Sequence, residues 1–583
     1  MTQKMKATTL IIAAMAAFST AINAQEPKAP KNVVVIFADD MGYGDLGCYR
    51  ELFQGGDDST LAHKFTPTLD TLGRDGVRFM QAYTGSWCAP ARQNLLSGRW
   101  CNRADNIQRP WIGKQLRDLG YSTCFVGKSH GNTSIAKVMN ANAATAEYND
   151  GFFFNGGMRK FYLQRGERFP RRINFKSQPY IAKGGEYLTD VFTDFGADFI
   201  KRSAQEKKPF FLYMAYNAPH SPLDGKLEDL QKMFPGEFDG IEESDWRELM
   251  NASGARGFNV GKNKRKNHQT GWSAETSPAY QRMKEMGNEK FIKYNFAALV
   301  YRMDLGIKKI MQTLKESGVE DDTLVIFTCD NGSIMGSNYP LTGCKSSHFE
   351  GGVRVPMIFW SKSLADSAAN GRIVEELCPT TDIAPTLVGM ATQTDQPEFP
   401  FDGINLWPYL KSNAPIPDDQ AFYFSSTTVS FYKACGLYLE RMMGNLSKEE
   451  RKRASDSFGS TEMNDGIFNA VYVKGKEKLV YWSKTDGSVQ GAVYQELPSN
   501  ARNTENPESF FKEEQVFGGQ FPTSEAGQKL LQEFIDYTNV GGPGELIHEA
   551  VFDSTDTTNE KRAREYLPAP PEQYKAGVEA RLK

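Results

Sequence analysis

Short runs of β-branched and aromatic residues alternate along this chain with longer segments in which apolar residues recur at helical spacing. The predicted strands span residues 33–37, 121–126, 210–216 and 324–327. The predicted helices span residues 67–75, 90–96, 187–203, 291–315 and 384–390. This alternation predicts an α/β fold in which a large, mainly parallel sheet is flanked by helices. Ligands bind such sheets beyond the carboxyl ends of the strands, so the polar residues that follow each strand carry the functional information.

A second, smaller domain is expected because 583 residues exceed what a single core usually contains. After residue 413 the pattern changes to hairpin-like alternation, notably at 471–482. Further helices are predicted at 526–537 and 560–566. We therefore predict a main domain over residues 25–413 and a C-terminal α+β domain with an antiparallel sheet over residues 414–583.

One segment of the main domain lacks the regular alternation. Residues 222–290 are polar and weakly periodic, which indicates a long insertion. The insertion contains a basic run at 261–268. A solvated loop is the commoner interpretation of such a run, and a patch for anionic substrates is the alternative.

The first 24 residues have the composition of a secretory signal peptide. Lys4 and Lys6 precede an apolar run at 10–18, and small residues lead to a cleavage point after Ala24. The apolar run is shorter than the roughly 20 residues needed to span a bilayer. We therefore expect an exported protein, periplasmic or secreted, with no stable membrane insertion.

Net charge and cysteine content exclude some classes of partner. The formal net charge of −3 gives no global field that would attract nucleic acid, so no nucleic-acid partner is expected. Any anionic ligand must instead be bound by a local arrangement of cations. The eight cysteines include no CxxC pair, which argues against a cysteine-rich zinc site and leaves one or two disulfides open.

Acidic and amide residues directly follow two of the predicted strands. Asp39 and Asp40 come after the first strand, and Asp330 and Asn331 come after the strand that begins at residue 324. If these strands are neighbours, three carboxylates and an amide meet at one sheet edge, where their repulsion requires a cation. Oxygen ligands favour calcium or magnesium over zinc. Taken singly, each pair is more typical of a turn.

A cysteine stands at the amino end of one predicted helix. Pro90 suits the first helical turn, and a helix amino end favours an anion or oxyanion beside it. Cys88 occupies that position. Taken alone, an unpaired cysteine is usually a small buried hydrophobic residue.

Several ordered motifs together resemble the formylglycine-dependent sulfatases of the alkaline phosphatase superfamily. The motifs are Asp39-Asp40, Cys88-Ala89-Pro90-Ala91-Arg92, Gly127-Lys128-Ser129-His130, Ala218-Pro219-His220-Ser221-Pro222, Thr328-Cys329-Asp330-Asn331-Gly332, Gly343-Cys344-Lys345 and Glu350-Gly351-Gly352-Val353-Arg354-Val355-Pro356. They cover roughly residues 30–410 in the family's order, and so many ordered matches are highly specific. Ala91 and Ser129 depart from the family pattern, which more usually has serine and tryptophan at these positions.

The resemblance implies an alkaline phosphatase-like fold and the hydrolysis of sulfate esters. It implies that a maturation enzyme oxidises Cys88 to formylglycine. It also implies that the modified residue shares a calcium ion, with magnesium as an alternative, with Asp39, Asp40, Asp330 and Asn331. In the family, one hydroxyl of the hydrated aldehyde attacks sulfur, and the other is then deprotonated so that sulfate leaves and the aldehyde returns.

The resemblance also implies roles for five further residues. Arg92 would orient the modified residue and Lys128 would balance charge near it. His130 would be the base that releases sulfate. His220 and Lys345 would bind the sulfate group and assist departure of the alcohol.

The remaining histidines are not assigned to the reaction. The chain has six histidines in all. Those predicted to be structural or at the surface are His63, His268, His348 and His548. His348 is close enough in sequence to Lys345 that it is also a candidate for lining the pocket.

Two other functions stay open from the sequence. A phosphonate or phosphate ester hydrolase on the same scaffold would make similar demands, although the extra ligands of a two-zinc phosphatase are missing. A catalytically inactive glycan-binding homologue is the second alternative. Export and the polar insertion favour a sulfated carbohydrate as substrate over a small aryl ester.

Overall fold

The computed structural model describes most of the chain up to residue 426 and parts of the remainder. The described residues are 27–53, 60–101, 110–130, 146–253, 260, 264–268, 270–341, 343–348, 350–426, 466–475, 477–484, 489–494, 529 and 533. The predicted signal peptide at 1–24 and the predicted helix at 560–566 lie outside this range. Of the helix predicted at 526–537, Lys529 and Glu533 are described, and both are helical.

The described residues form strands along most of the chain. In chain order these are β1 Asn32–Ala38, β2 Val77–Tyr83, β3 Ser122–Lys128, β4 Asp150–Phe154, β5 Arg168–Phe169, β6 Arg171–Ile173, β7 Lys176–Ser177, β8 Tyr180–Ile181, β9 Phe210–Ala215, β10 Lys266–Asn267, β11 Trp272–Ser273, β12 Thr323–Cys329, β13 Arg354–Trp360, β14 Ile373–Leu377, β15 Ala421–Ser426, β16 Gly466–Lys474, β17 Glu477–Lys484 and β18 Val489–Tyr494.

Helices lie between many of these strands. They are α1 Gly47–Arg50, α2 Pro67–Asp75, α3 Cys88–Ser97, α4 Ile112–Asp118, α5 Leu188–Glu206, α6 Leu227–Met233, α7 Glu243–Ala252, α8 Pro278–Met286, α9 Asn288–Glu316, α10 Glu350–Val353, α11 Lys362–Ala365, α12 Ile383–Thr392 and α13 Trp407–Lys411. Within the described part of the chain, no helix has both the length and the apolar character needed to cross a bilayer.

A ten-stranded sheet forms the centre of the molecule. Its strand order is β14-β2-β13-β12-β1-β9-β3-β4-β6-β7. The five strands β12, β1, β9, β3 and β4 are parallel to one another, and β13, β6 and β7 add antiparallel pairs at the two sides. The predicted mainly parallel sheet is therefore confirmed. Its five parallel strands end at one common edge.

The central strands are buried on both faces. Every residue of β1, β9 and β12 is buried. Continuous runs of apolar, mostly β-branched and aromatic residues suit such strands, because neither face meets water. Helices α5 and α9 pack against each other beside the sheet. The sheet is thus a rigid support for the loops at its edge.

The predicted helix positions agree with the structure, but several ends differ. Helix α2 has the predicted bounds. Helix α3 ends at Ser97 and is followed by Gly98, which has a left-handed φ of 66°. Helix α9 begins three residues earlier than predicted, at Asn288. The reason is Gly287, whose φ of 80° lets the chain turn between α8 and α9.

A four-stranded antiparallel sheet follows the main sheet along the chain. Its order is β15-β16-β17-β18, and the turn between β16 and β17 contains Gly475 at a φ of 57°. The ring of Phe422 in β15 lies 5.2 Å from the ring of Tyr83 and 5.7 Å from that of Trp100. The predicted C-terminal antiparallel sheet is therefore found, packed on the main domain. The domain boundary at 413 and 414 stays a prediction.

The segment predicted as a polar insertion has regular structure of its own. Residues 222–290 contain α6, α7, α8 and the short hairpin of β10 and β11. Trp246 of α7 is buried and donates a hydrogen bond to the carbonyl of Gly225 at 2.8 Å. The weak apolar periodicity of this segment therefore failed to predict three short helices.

One glycine of the central sheet has no room for a side chain. Gly127 in β3 has a φ of 110°, and a Cβ at this position would lie 1.9 Å from the carbonyl oxygen of Ala215 in β9. The next residue, Lys128, ends β3 at the edge where the five parallel strands end. The close approach of the two strands therefore requires glycine here.

We predict that Gly127→Ala lowers the free energy of unfolding by about 2 to 4 kcal/mol, through left-handed strain and overpacking together. The matched control is Gly120→Ala. Gly120 has a φ of 91°, but no atom of the described residues lies within 4 Å of the place that a Cβ would take, so only the conformational cost of about 1 kcal/mol applies. Urea denaturation of both variants checks this. Equal losses in the two variants would show that the contact with Ala215 does not matter.

Candidate active site

The predicted acidic residues meet at the edge where the parallel strands end. Strand β1 lies beside β12, with Ala38 opposite Cys329. Asp39 and Asp330 are the residues that directly follow these two strand ends. The backbone N–H of Asp40 donates to Oδ1 of Asp330 at 3.0 Å. Asp40 has a left-handed φ of 65°. We call Asp39, Asp40 and Asp330 the acidic cluster.

Two cations neutralise the buried end of the acidic cluster. Nζ of Lys128 lies 2.5 Å from Oδ2 of Asp39, and both side chains are fully buried. Nη2 of Arg92 lies 3.0 Å from Oδ2 of Asp330 and 3.6 Å from Oδ1 of Asp39. Nη1 of Arg92 also donates to the backbone carbonyl of Lys128 at 3.1 Å. Two elements, β3 and α3, therefore deliver these cations.

Asp40 faces a third cation, an amide and a histidine. Nζ of Lys345 donates to Oδ1 of Asp40, and Nδ2 of Asn331 donates to the same oxygen at 2.7 Å. Nε2 of His220 lies 3.5 Å from Oδ2 of Asp40. Burial by itself raises the pKa of Asp40, but Lys345, His220 and Lys128 outweigh burial and hold this pKa well below its usual value. Asp40 is therefore ionised.

Cys88 is the first residue of α3 and points into the same group of side chains. Its Sγ lies 3.0 Å from Nζ of Lys345 and 3.4 Å from Oδ1 of Asp39, and the residue is 1% exposed. Burial and Asp330 raise the pKa of the thiol. Lys128, Lys345 and a hydrogen bond with His130 outweigh them, so the pKa lies well below its usual value. The surroundings of residue 88 therefore stabilise a nucleophile in its anionic form.

The two histidines approach from different strand ends. His130 follows β3, and its ring lies 3.4 Å from the position that a Cβ at Gly157 would take. His220 follows β9, and its Nδ1 lies 2.6 Å from the carbonyl oxygen of Ser221. Burial lowers the pKa of His220, but Asp40 and Asp39 raise it further, so the net shift is upward. A histidine with these neighbours is suited to donate a proton near neutral pH.

The oxygen donors of the site fit a hard cation. One ligand atom from each of Asp39, Asp40, Cys88 and His220 lies within 4.8 Å of all the others. Burial raises the pKa of Asp330 to about 6 together with the smaller effect of the nearby Asp39, and a cation would relieve the repulsion between these two carboxylates. Oδ1 of Asn331 is buried and has no hydrogen-bond partner among the described residues. An orphaned amide oxygen beside three carboxylates is the ligand chemistry of calcium and magnesium.

The structure brings together every residue that the sequence analysis singled out for the site. They are Asp39, Asp40, Cys88, Arg92, Lys128, His130, His220, Asp330, Asn331 and Lys345. His348 is buried, and its ring packs at 5.5 Å on the ring of Phe424, outside this group. His268 is exposed, and His548 lies outside the described residues.

One buried polar residue next to the site in the chain escaped the sequence analysis. Asn217 follows β9 and is 1% exposed, and neither its amide nitrogen nor its amide oxygen has a hydrogen-bond partner in the described part of the chain. Its backbone carbonyl accepts from the backbone N–H of His220 at 3.0 Å. The only signal in the sequence was its position between a strand end and the Ala218-Pro219-His220 motif.

Comparison with known proteins identifies the family. The family model for sulfatases matches residues 31–393. The uncharacterized sulfatase YdeN of Escherichia coli K12 is 24% identical in an alignment of length 519 that covers 79% of this chain and 81% of the relative. Human N-acetylgalactosamine-6-sulfatase is 25% identical in an alignment of length 435 that covers 69% of each chain.

A solved structure shares the fold. The crystal structure of Ps i-CgsB in complex with k-i-k-neocarrahexaose matches with a TM-score of 0.57 at 20% identity, covering 93% of this chain and 98% of the other. The family match contains every residue of the candidate site and more than half of the chain. The chain therefore belongs to the sulfatase family and is a sulfuric ester hydrolase with an alkaline phosphatase-like fold.

Proposed function

We propose that this protein hydrolyses sulfate esters of carbohydrates with a formylglycine made from Cys88 and with a bound calcium ion. The observation that carries the proposal is the position of Cys88. Its Sγ lies at the amino end of α3, 3.4 Å from Oδ1 of Asp39 and 3.0 Å from Nζ of Lys345. A thiolate is a soft ligand and matches a hard cation poorly, whereas the oxygens of a hydrated aldehyde match it well.

Asp39, Asp40, Asp330 and Asn331 would hold the calcium ion together with modified residue 88. When bound, the ion would supply positive charge that activates a hydroxyl at position 88 and neutralises the sulfate oxygens. Magnesium is the alternative ion for the same oxygen ligands.

The other side chains of the site orient groups and move protons. Arg92 fixes the buried side of the site through its bonds to Asp330 and to the carbonyl of Lys128. His130, beside residue 88, would accept the proton whose loss releases sulfate. His220 and Lys345 would contact the ester, stabilise the departing oxygen and protonate the alcohol.

The charge balance suits an anionic ester. The three carboxylates of the acidic cluster are matched by three cations, Arg92, Lys128 and Lys345. A bound divalent cation therefore leaves the site positive. A sulfate monoester carries one negative charge, and further charge develops on its leaving oxygen in the transition state. A positive site stabilises both.

A sulfated carbohydrate is the proposed substrate class. Two of the similar proteins are associated with sugars by name: one is an N-acetylgalactosamine-6-sulfatase, and the other was crystallised with k-i-k-neocarrahexaose. The signal-like segment at 1–24 supports export to the periplasm or the medium, where polysaccharides are met. On this proposal the protein's cellular partner is a formylglycine-generating enzyme.

Conversion of Cys88 is the first test. We expect mass spectrometry to find an aldehyde in the peptide that contains residue 88 from protein made in its native host. Turnover should rise in proportion to the aldehyde fraction among preparations. Cys88→Ser should lose more than about 10³-fold in turnover, because one hydroxyl cannot replace two. In the control Cys378→Ser, at a buried cysteine outside the site, turnover should still be proportional to the aldehyde fraction at residue 88. Full activity with unmodified thiol would refute the proposal.

Metal binding is the second test. We expect Asp330→Ala to weaken calcium binding by more than about 100-fold, since loss of a ligand costs at least as much as loss of an outer partner. Turnover should disappear with it. Calorimetric titration of chelator-treated protein measures the affinity. Asp382→Asn is the matched control, because Asp382 is fully buried but lies outside the acidic cluster. Undiminished calcium affinity in Asp330→Ala would remove this residue from the ligand set.

Substrate class is the third test. A panel of sulfated monosaccharides and oligosaccharides that differ in sulfate position should contain substrates with higher kcat/KM than an aryl sulfate. Hydrolysis of the aryl sulfate should exceed that of the matching aryl phosphonate. Turnover of aryl esters alone would contradict the carbohydrate assignment. Faster turnover of the phosphonate would make the protein a phosphonate hydrolase on the same scaffold.

A further inference from the structure

Helix α10 lies between the chain that follows β12 and the segment that carries Lys345. On one side, the backbone N–H of Gly332 donates to the carbonyl of Gly352 at 3.2 Å. A Cβ at Gly332 would lie 1.6 Å from the carbonyl oxygen of Gly351. Gly332 follows Asn331 directly, so α10 is in backbone contact with the end of β12.

The opposite side of α10 touches residues 343–348, which we call the Lys345 segment. A Cβ at Gly352 would lie 2.2 Å from the carbonyl oxygen of Ser347 and 2.6 Å from that of Cys344. The segment closes on itself through a bond from the N–H of Ser347 to the carbonyl of Cys344 at 2.9 Å. Helix α10 therefore lies between the chain that follows β12 and the Lys345 segment, which is also held by a bond from the N–H of Ser346 to the carbonyl of Ser86 at 2.7 Å.

The first residue of α10 is a buried glutamate held by groups from three elements. Oε1 of Glu350 accepts from Nζ of Lys478 in β17 at 2.7 Å. Oε2 accepts from the hydroxyl of Tyr83 at 2.8 Å and from Nη1 of Arg354 at 3.2 Å. Lys478 and Arg354 are at most 1% exposed. Burial raises the pKa of Glu350, but Lys478 and Arg354 lower it further, so the group is ionised.

A second contact ties the Lys345 segment itself to the C-terminal sheet. His348 packs edge-on against Phe424 of β15, with ring centroids 5.5 Å apart. Burial and the charge of Lys478 lower the pKa of His348 to about 3, so the ring stays neutral. The C-terminal sheet therefore contacts both α10 and the Lys345 segment, at two buried points.

We propose that Glu350 is a positioning residue for Lys345, and that Lys478 of the C-terminal sheet holds Glu350 in the required place. The inference deepens the proposed function, since it rests on Lys345 as a sulfate-binding group. Among the described residues, removing Lys478 leaves Oε1 of Glu350 without a donor in a buried site, and removing the carboxylate leaves two buried cations without their shared anion. Either change frees α10 to shift, and the Lys345 segment shifts with it.

Sulfate binding by the full-length, calcium-loaded protein tests the inference. We expect Lys478→Met to raise the Kd for inorganic sulfate by about 10-fold, which is the range found for residues that position a ligating side chain. The KM for a sulfate ester should rise by the same factor. Glu350→Gln should raise the Kd at least as much. The double variant should match Glu350→Gln alone, because Lys478 acts through Glu350. The variants should still bind calcium and carry the wild-type aldehyde fraction, which a general loss of folding would not allow.

Lys474→Met is the matched control. Lys474 lies in β16 of the same sheet and pairs with Glu533 at 3.1 Å, away from α10. This variant should bind sulfate as the wild type does. If Lys478→Met does not fold, Glu350→Gln, which preserves side-chain size, gives the same comparison. Unchanged sulfate affinity in both Glu350→Gln and any folded Lys478→Met would overturn the inference.

A crystal structure separates this inference from the proposed function. The Lys478→Met or Glu350→Gln variant should show the Lys345 segment displaced, with Nζ of Lys345 no longer in contact with Asp40. An undisplaced segment contradicts the positioning role whatever the enzyme's activity. Wild-type protein that carries the aldehyde and calcium but turns over no sulfate ester would contradict the proposed function, while the displacement would still be measured.

Discussion

The structure depends on burying three carboxylates at one edge of one sheet. Burial of an unpaired charge is prohibitively costly, so each carboxylate needs its own cation or a shared metal. Asp39 is paired with Lys128, and Asp330 with Arg92. Asp40 is paired with Lys345. The cations come from β3, from α3 and from the Lys345 segment, so three separate elements must pack correctly before the acidic cluster can be buried at all.

The same constraint explains the position of Cys88. Arg92 lies one helical turn after Cys88, so the ion pair between Arg92 and Asp330 fixes the start of α3 against the strand ends. Cys88 is thereby held at a helix amino end beside two further cations. A group at position 88 that develops negative charge is stabilised by the helix end and by these cations together. Folding energy and reactivity thus use the same contacts.

Much of this arrangement could be predicted from the sequence, because its parts leave local signals. Acidic residues that directly follow apolar strands indicated convergence, and the register of Ala38 with Cys329 confirms that the two strands are neighbours. The helix predicted at 90–96 lies within α3. The start of α9 was predicted three residues late, since apolar periodicity fades in a helix's exposed first turn while Gly287 carries the actual boundary.

Other features leave no local signal. The sequence did not indicate which cation pairs with which carboxylate, since long side chains reach across elements. Lys478 sits in a hairpin with alternating lysines, where a solvated position is the usual expectation, yet it is fully buried against Glu350. The two residues are separated by 128 positions. His348 was a candidate for lining the pocket, but its ring packs on Phe424, because the C-terminal sheet covers that side of the Lys345 segment.

The site therefore combines two kinds of support. The acidic cluster belongs to strand ends whose positions are fixed by backbone hydrogen bonds on both sides, as β1 shows between β12 and β9. Lys345 belongs to a short segment in which His348 packs on a separate sheet, and the neighbouring α10 is bonded to the same sheet through Glu350. Changes in that sheet can alter how an anion is bound while the strand ends that carry the proposed metal ligands stay in place. Separate supports for the metal site and for Lys345 suit a family that acts on many sulfate esters. The chemistry of the metal site can stay constant while the contacts that bind the substrate vary.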